Sequence, residues 1–165
     1  MSQTLIRNRY EKKKLLGEGA FGNIFLVGDK ISGNEAAIKV FKDKEQFLNE
    51  KRIWELCEGI PGIVQILDSF EENDSGFLVM EYLPGGTLKE EMESGKKEKN
   101  NNISECVKRL MPIMEALLQM HSKGMVHCDI SPDNILFDQD GNAKLIDFGT
   151  VKILKDQEDE IAAGI

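Results

Sequence analysis

The sequence predicts an α+β fold in which a mostly antiparallel sheet with one helix precedes a second, mainly helical part. Short β-rich segments fill the first half of the 165-residue chain, and the longest helical pattern lies in the second half. Strands and helices do not alternate regularly, as they would in a parallel βαβ fold. With 41% hydrophobic residues, the chain can form one ordinary domain or two small lobes. We assign residues 1–83 to the first lobe and residues 84–165 to the second.

The first lobe is predicted to combine short strands with one helix. Runs of β-branched and aromatic residues, separated by turn residues, place the strands at residues 14–16, 23–27, 36–41, 64–67 and 77–80. A polar loop is expected at residues 71–76. The helix is predicted over residues 43–58, where Phe47, Trp54 and Cys57 share one face. Glu50 lies on that apolar face and needs a partner, because burying a lone carboxylate is costly.

The second lobe is predicted to contain a short helix at residues 88–93, a long helix and a hairpin. The long helix should cover residues 104–122, with Pro112 kinking its interior. Its buried face is predicted to consist of Val107, Leu110, Met114, Leu117, Leu118 and His121. Residues 135–137 and 143–146 should then form the hairpin, since turn residues separate them.

Composition excludes several classes of protein. The formal net charge of −8 argues against a nucleic-acid binder and against attraction to anionic membranes. No apolar run approaches the ~20 residues that a membrane helix needs. The three cysteines are scattered and form no zinc-binding pattern. We therefore expect a cytoplasmic protein with reduced thiols, no nucleic-acid partner and no membrane partner.

A glycine-rich loop lies near the start of the chain. Gly17, Gly19 and Gly22 form a GxGxxG pattern, which alone is a weak signal. A dinucleotide-binding fold would open a helix at the last glycine, but the β-type residues 23–27 follow here. The pattern therefore favours a hairpin whose backbone N–H groups approach phosphate oxygens.

A lysine stands inside the apolar run at residues 36–41. Lys39 needs either an anionic partner or a path to solvent at the edge of the sheet. Glu50, on the apolar face of the next helix, is the natural partner.

The strongest chemical signal is the segment at residues 127–134, followed by an Asp-Phe-Gly sequence at residues 147–149. Asp129 could accept a proton from a hydroxyl group. Asn134 and Asp147 carry hard oxygen ligands that suit Mg²⁺. Asp and Asn residues also form ordinary turns, but their spacing, together with the glycine loop and the lysine, favours the catalytic interpretation.

From the glycine loop to the Asp-Phe-Gly sequence, the chain resembles the eukaryotic-type Ser/Thr protein kinases. The resemblance implies a bilobal kinase fold with an antiparallel-sheet N-lobe and a cleft that binds ATP and Mg²⁺. Lys39 would contact the α- and β-phosphates, with Glu50 as its helix partner. Asp129 would act as the catalytic base, and Asn134 and Asp147 would hold the metal ions.

The resemblance also implies an adenine site. Residues 79–88 resemble the hinge, with Met80 as gatekeeper and the backbones of Glu81 and Leu83 on the adenine edge. The apolar sandwich around the ring would consist of Ile24, Ala37 and Leu136.

Two positions in the catalytic segment depart from the family pattern. Cys128 stands where kinases regulated by loop phosphorylation have an arginine. Ser131 stands where Ser/Thr kinases usually have a lysine that neutralises the transferring phosphoryl group. Tyrosine kinases and small-molecule kinases manage without that lysine.

The resemblance therefore predicts an enzyme that transfers phosphate from ATP to Ser/Thr hydroxyls of a protein substrate. Because the sequence stops at Ile165, before the peptide-docking segment and the later helices of the family, we expect an incomplete helical C-lobe, impaired activity, and a partner chain or self-association that covers it. Two alternatives stay open. One is a non-catalytic ATP-binding module or regulator, and the other is a small-molecule kinase of the aminoglycoside or choline type.

Overall fold

The computed structural model describes residues 5–19, 22–94 and 103–154. The chain divides into two compact units. The first comprises Met1–Gly59 and Val64–Pro84, and the second comprises Ile60–Ile63 and Gly85–Ile165.

The first unit contains a six-stranded antiparallel sheet with the strand order β1-β2-β3-β4-β6-β5. Its strands are β1 (Leu5–Ile6), β2 (Tyr10–Gly19), β3 (Gly22–Asp29), β4 (Glu35–Phe41), β5 (Ile66–Glu72) and β6 (Ser75–Glu81). Alternate residues of the strands, including Val27, Ala36 and Ile38, build an apolar core on one face.

Three details of this sheet differ from the sequence prediction. Strand β1 was not predicted, and the strand expected at residues 64–67 begins later, at Ile66. The loop expected at residues 71–76 shrinks to a turn at Asn73 and Asp74, both with positive φ. Polar residues there occupy strand positions because backbone pairing between β5 and β6 continues to Glu72.

The helix of the first unit, α1 (Lys44–Cys57), packs on the other face of the sheet. Its N-cap is Asp43, whose carboxylate accepts a hydrogen bond from the Gln46 backbone N–H at 2.8 Å. Phe47 contacts the sheet where Gly76 leaves room, since a Cβ at Gly76 would lie 2.2 Å from the Phe47 ring. This contact places the predicted apolar face of α1, including Glu50, against the sheet.

A charged cluster joins the turn between β1 and β2 to the end of β3. The Arg9 guanidinium donates two hydrogen bonds of 2.8 Å to Asp29, which also accepts from the Ile31 backbone N–H and the Ser32 hydroxyl. The Arg9 side chain is the main reason that the pKa of the Asp29 carboxyl is held well below its usual value.

The second unit consists of helices and short strand pairs. Its elements are α2 (Leu88–Glu93), α3 (Ile103–Ser122), β7 (Met125–Val126), a 3-10 turn (Pro132–Asn134), β8 (Ile135–Phe137), β9 (Ala143–Leu145) and β10 (Lys152–Ile153). Strands β8 and β9 form the predicted hairpin, and β7 pairs antiparallel with β10. The hairpin and the inner face of α3 share an apolar core that includes Ile113, Phe137 and Leu145.

The buried face of α3 was predicted only in part. Leu110 and Leu117 do pack on the core. The other predicted members, Val107, Met114, Leu118 and His121, are exposed, and Ile113, Ala116 and Met120 are buried instead. Apolar residues surround most of this helix, so spacing alone could not identify the face that meets the hairpin.

The proline inside α3 does not end the helix, which continues for ten residues beyond it to Ser122. The Pro112 carbonyl is packed against Gly62, where an added Cβ would lie only 2.2 Å away. No helix within the described part of the chain has the length and apolar character required to cross a bilayer.

Candidate active site

The glycine loop is the tip of the β2–β3 hairpin. Gly17 pairs with Ile24, and Gly19 pairs with Gly22, so a strand rather than a helix follows the last glycine. Gly22 has φ 143°, and a Cβ there would lie 2.2 Å from the Val40 carbonyl oxygen. The hairpin predicted from the sequence is therefore present. Its two tip residues, 20 and 21, lie outside the described residues.

Lys39 and Glu50 form a buried ion pair. Residues 39 and 41 point to the side of the sheet that carries α1, because side chains alternate along β4. The Lys39 ammonium donates to both Glu50 carboxylate oxygens, at 2.7 and 2.8 Å. Only 6% of Lys39 and 2% of Glu50 are exposed. The path to solvent considered for Lys39 is therefore not used.

The predicted adenine-site residues of the first unit lie close together on neighbouring strands. Ala37 pairs with Met80 across β4 and β6, and Ile24 pairs with Lys39 across β3 and β4. Met80 and Leu83 are buried.

Glu81 makes two hydrogen bonds with the backbone of Gln65. Its N–H donates to the Gln65 carbonyl at 3.0 Å, and its carboxylate accepts from the Gln65 N–H at 2.8 Å. Leu136, the remaining predicted adenine contact, lies on β8 of the second unit, opposite Thr87.

The catalytic segment folds so that Asn134 holds Asp129. The Asn134 side-chain amide donates to Asp129 Oδ2 at 2.9 Å and to the Asp129 carbonyl at 3.1 Å. The 3-10 turn brings the two residues together, since the Asn134 N–H donates to the Ser131 carbonyl at 3.0 Å. Asp129 itself is exposed, so a hydroxyl-bearing substrate could reach its carboxylate.

Asp147 is joined to the same segment through its neighbour. The Ile146 N–H donates to the Asn134 carbonyl at 2.9 Å. Asp147 has φ 61°, a conformation that most residues avoid, and its Oδ1 accepts from the Gly149 N–H at 3.3 Å. The two predicted metal ligands, Asn134 and Asp147, therefore belong to one hydrogen-bonded framework.

The donor set at these two residues fits Mg²⁺. Because the Asn134 nitrogen is turned toward Asp129, its side-chain oxygen is the atom available to a cation. No group of three or more His, Cys, Asp or Glu residues that could hold a metal occurs among the described residues. Mg²⁺ commonly takes one or two protein oxygens and completes its shell with water and phosphate oxygens, which this arrangement allows.

His127 is buried beneath the catalytic segment. Its ring lies edge-on to Phe148 at a centroid distance of 5.3 Å, and only 2% of the residue is exposed. Burial lowers the pKa of the imidazole, although the nearby carboxylates of Asp147 and Asp129 act in the opposite direction. The His127 ring therefore packs beneath the catalytic segment, against Phe148.

The structure also describes residues 128 and 131, the two positions of the segment that depart from the family pattern. Cys128 is exposed, has φ 65° and directs its thiol to the Val126 carbonyl at 3.5 Å. Near Ser131, Lys89 of α2 forms an ion pair of 3.0 Å with Asp133.

Sequence reasoning missed one contact of the catalytic segment. The Thr150 hydroxyl donates to the His127 carbonyl at 2.9 Å, across 23 positions of sequence. The only sequence signal was a hydroxyl residue directly after the Asp-Phe-Gly sequence, which does not identify a partner.

Comparisons with known proteins agree with this geometry. The family model described as protein kinase domain matches residues 10–163. The chain is 34% identical to serine/threonine-protein kinase cds1 of Schizosaccharomyces pombe, over 89% of this chain and 34% of that protein. It is 33% identical to CBL-interacting serine/threonine-protein kinase 19 of Arabidopsis thaliana, over 89% of this chain and 31% of the relative. It is also 34% identical to protein kinase C eta type of Homo sapiens, over 88% of this chain and 22% of the relative.

The chain thus spans about a third or less of the length of these relatives. The family model covers most of the chain, and it includes the glycine hairpin, the buried ion pair and the catalytic segment. The protein therefore belongs to the protein kinase domain family.

Proposed function

We propose that this chain binds ATP with Mg²⁺ and transfers the terminal phosphoryl group to Ser or Thr hydroxyls of a protein substrate. The single observation that carries the proposal is the buried Lys39–Glu50 ion pair. The ion pair supports the proposal because burying it costs free energy that a purely structural role would not require. Taking two charges out of water is expensive, and apolar residues of similar size often stabilise a protein as well or better.

A buried lysine in this position is therefore best explained by an anionic ligand. In the first unit, the Lys39 ammonium, oriented by Glu50, would bind the α- and β-phosphates. The backbone of the β2–β3 hairpin would cover the phosphates, since Gly17 and Gly19 present no Cβ to obstruct them. Met80, Leu83 and Ala37 would supply the apolar surroundings of the adenine ring.

In the second unit, Asp129 would accept the proton of the attacking hydroxyl group. Asn134 orients the Asp129 carboxylate, and its side-chain oxygen would join Asp147 as a ligand of the metal. When bound, Mg²⁺ neutralises charge on the phosphate oxygens during transfer.

The test is a transfer assay with labelled ATP and a generic protein acceptor. Lys39→Met and Asp129→Asn should each reduce transfer at least 100-fold, because positioning and proton transfer typically contribute ~10²-fold or more. Asp129 is exposed, so its variant should fold normally. Lys13→Met is the matched control, because Lys13 lies in the same sheet and pairs with Glu35, with 44% of its side chain exposed.

The other outcomes distinguish the alternatives. Transfer to aminoglycosides or choline, but not to proteins, would assign the chain to the small-molecule kinases. Binding of Mg-ATP without transfer would make it a non-catalytic nucleotide-binding module. Full transfer by the Lys39 variant would contradict the assignment of the phosphate site.

A second chain is also part of this proposal. Val107, Met111, Met114 and Leu118 lie on the exposed side of α3, each at least 40% exposed. Burying an apolar side chain of this size gains ~1.5–3 kcal/mol, so a partner or another copy of the chain would be stabilised by covering them. Sedimentation of the purified protein tests this, and a monomer at all concentrations would contradict self-association.

A further inference from the structure

The bond from Thr150 to His127 joins the segment after the Asp-Phe-Gly sequence to the start of the catalytic segment. The Thr150 hydroxyl donates to the His127 carbonyl at 2.9 Å in partly buried surroundings. Water competes less with a hydrogen bond in such surroundings than with one at the surface.

The His127 carbonyl belongs to a peptide group next to a residue with an unusual backbone conformation. That peptide leads into Cys128, whose φ of 65° is a conformation that side-chain-bearing residues rarely adopt. Asp129 is the next residue. A bond that fixes the orientation of the His127 carbonyl therefore also fixes the backbone that directs the Asp129 carboxylate.

The neighbouring backbone hydrogen bonds lie on the N-terminal side of this peptide group. Strand β10 pairs with β7, and the Leu154 N–H donates to the Gly124 carbonyl at 2.7 Å. These bonds hold the chain before His127. Thr150 supplies a side-chain hydrogen bond from a distant segment at the point where the strand pair ends and the catalytic segment begins.

We propose that Thr150 is a positioning residue for Asp129, acting through the His127 carbonyl. The inference rests on the proposed kinase function and deepens it. The hydroxyl–carbonyl bond holds the backbone at the start of the catalytic segment, two residues before Asp129.

The experiment compares variants that keep or remove the donor. Thr150→Val preserves the shape of the side chain and removes the hydroxyl, Thr150→Ala is a second donor-free variant, and Thr150→Ser retains the donor. Ser122→Ala is the matched control, because it removes another hydroxyl–carbonyl bond, of 2.8 Å to Gln119, away from the catalytic segment.

The donor-free variants should lower kcat roughly two- to tenfold, the effect of one ordinary hydrogen bond, while KM for ATP stays within about twofold. The serine variant and the Ser122 control should match the wild type. A donor-free variant with wild-type kcat, or an equal loss in the Ser122 control, would overturn the proposal.

A second measurement separates this inference from the proposed function. Hydrogen exchange of the peptide covering residues 124–134 should quicken in the donor-free variants and not in the serine variant. If the wild type transfers no phosphate, the proposed function fails, and the exchange result alone decides the positioning role. Unchanged exchange in Thr150→Val would then refute it.

Discussion

Replacing Glu50 with leucine tests both the energetics and the function of the buried ion pair. Glu50→Leu removes both carboxylate oxygens that the Lys39 ammonium contacts at 2.7 and 2.8 Å. Removing one partner of a buried pair typically costs ~3–5 kcal/mol. That is a large part of a total stability of ~5–15 kcal/mol.

The double variant Lys39→Met with Glu50→Leu removes both charges and keeps the volume. Its unfolding free energy should return to within about 1 kcal/mol of the wild type, or exceed it, because buried pairs are often no better than apolar residues. Phosphoryl transfer should remain absent, since the phosphate-binding cation is lost. Stability and activity would then separate in one protein.

Urea unfolding followed by tryptophan fluorescence provides the assay. The chain has a single tryptophan, Trp54, which is buried on α1 one turn beyond Glu50. It therefore reports on the helix that carries the ion pair. If the double variant is as unstable as the sum of the two single variants, the residues are not energetically coupled and the reasoning is refuted.

Three further predictions address the metal, the acid response and the packing of Gly62. Asp147→Asn should raise the Mg²⁺ concentration needed for half-maximal transfer about tenfold or more, and an unchanged requirement would remove Asp147 from the metal site. Arg9 lowers the pKa of Asp29, so this bond stabilises the fold above about pH 4, and the contribution is lost as the pH falls further. Asp29→Asn should therefore lower stability at neutral pH and flatten its decline in acid, as urea titrations at several pH values will show. Gly62→Ala should destabilise the protein more than Gly59→Ala. Both glycines have positive φ, but only at Gly62 would the Cβ lie 2.2 Å from a carbonyl oxygen. Equal urea-unfolding midpoints for the two variants would contradict this prediction.

Much of the fold and of the candidate site was predictable because local residue patterns express it directly. The kinase-like α+β fold is confirmed by the family match. The Lys39–Glu50 contact could be anticipated from a charge on each of two apolar faces, since such charges require each other. The spacing of Asp129 and Asn134 was equally informative, because the intervening turn is short enough to bring them together.

Other features depended on contacts between distant segments. The spacing of apolar residues in α3 could not show that Ile113 and Met120, and not Met114 and Leu118, would be buried. That choice follows from the position of the β8–β9 hairpin, which the helix sequence does not contain.

The order of the motifs along the chain was thus sufficient to predict the family. Tertiary structure decided which face of α3 is buried and that Thr150 contacts His127. The physical reason is that helix periodicity and motif spacing are local properties. The contact between Thr150 and His127 depends instead on the pairing of β7 with β10, two strands that are distant in sequence.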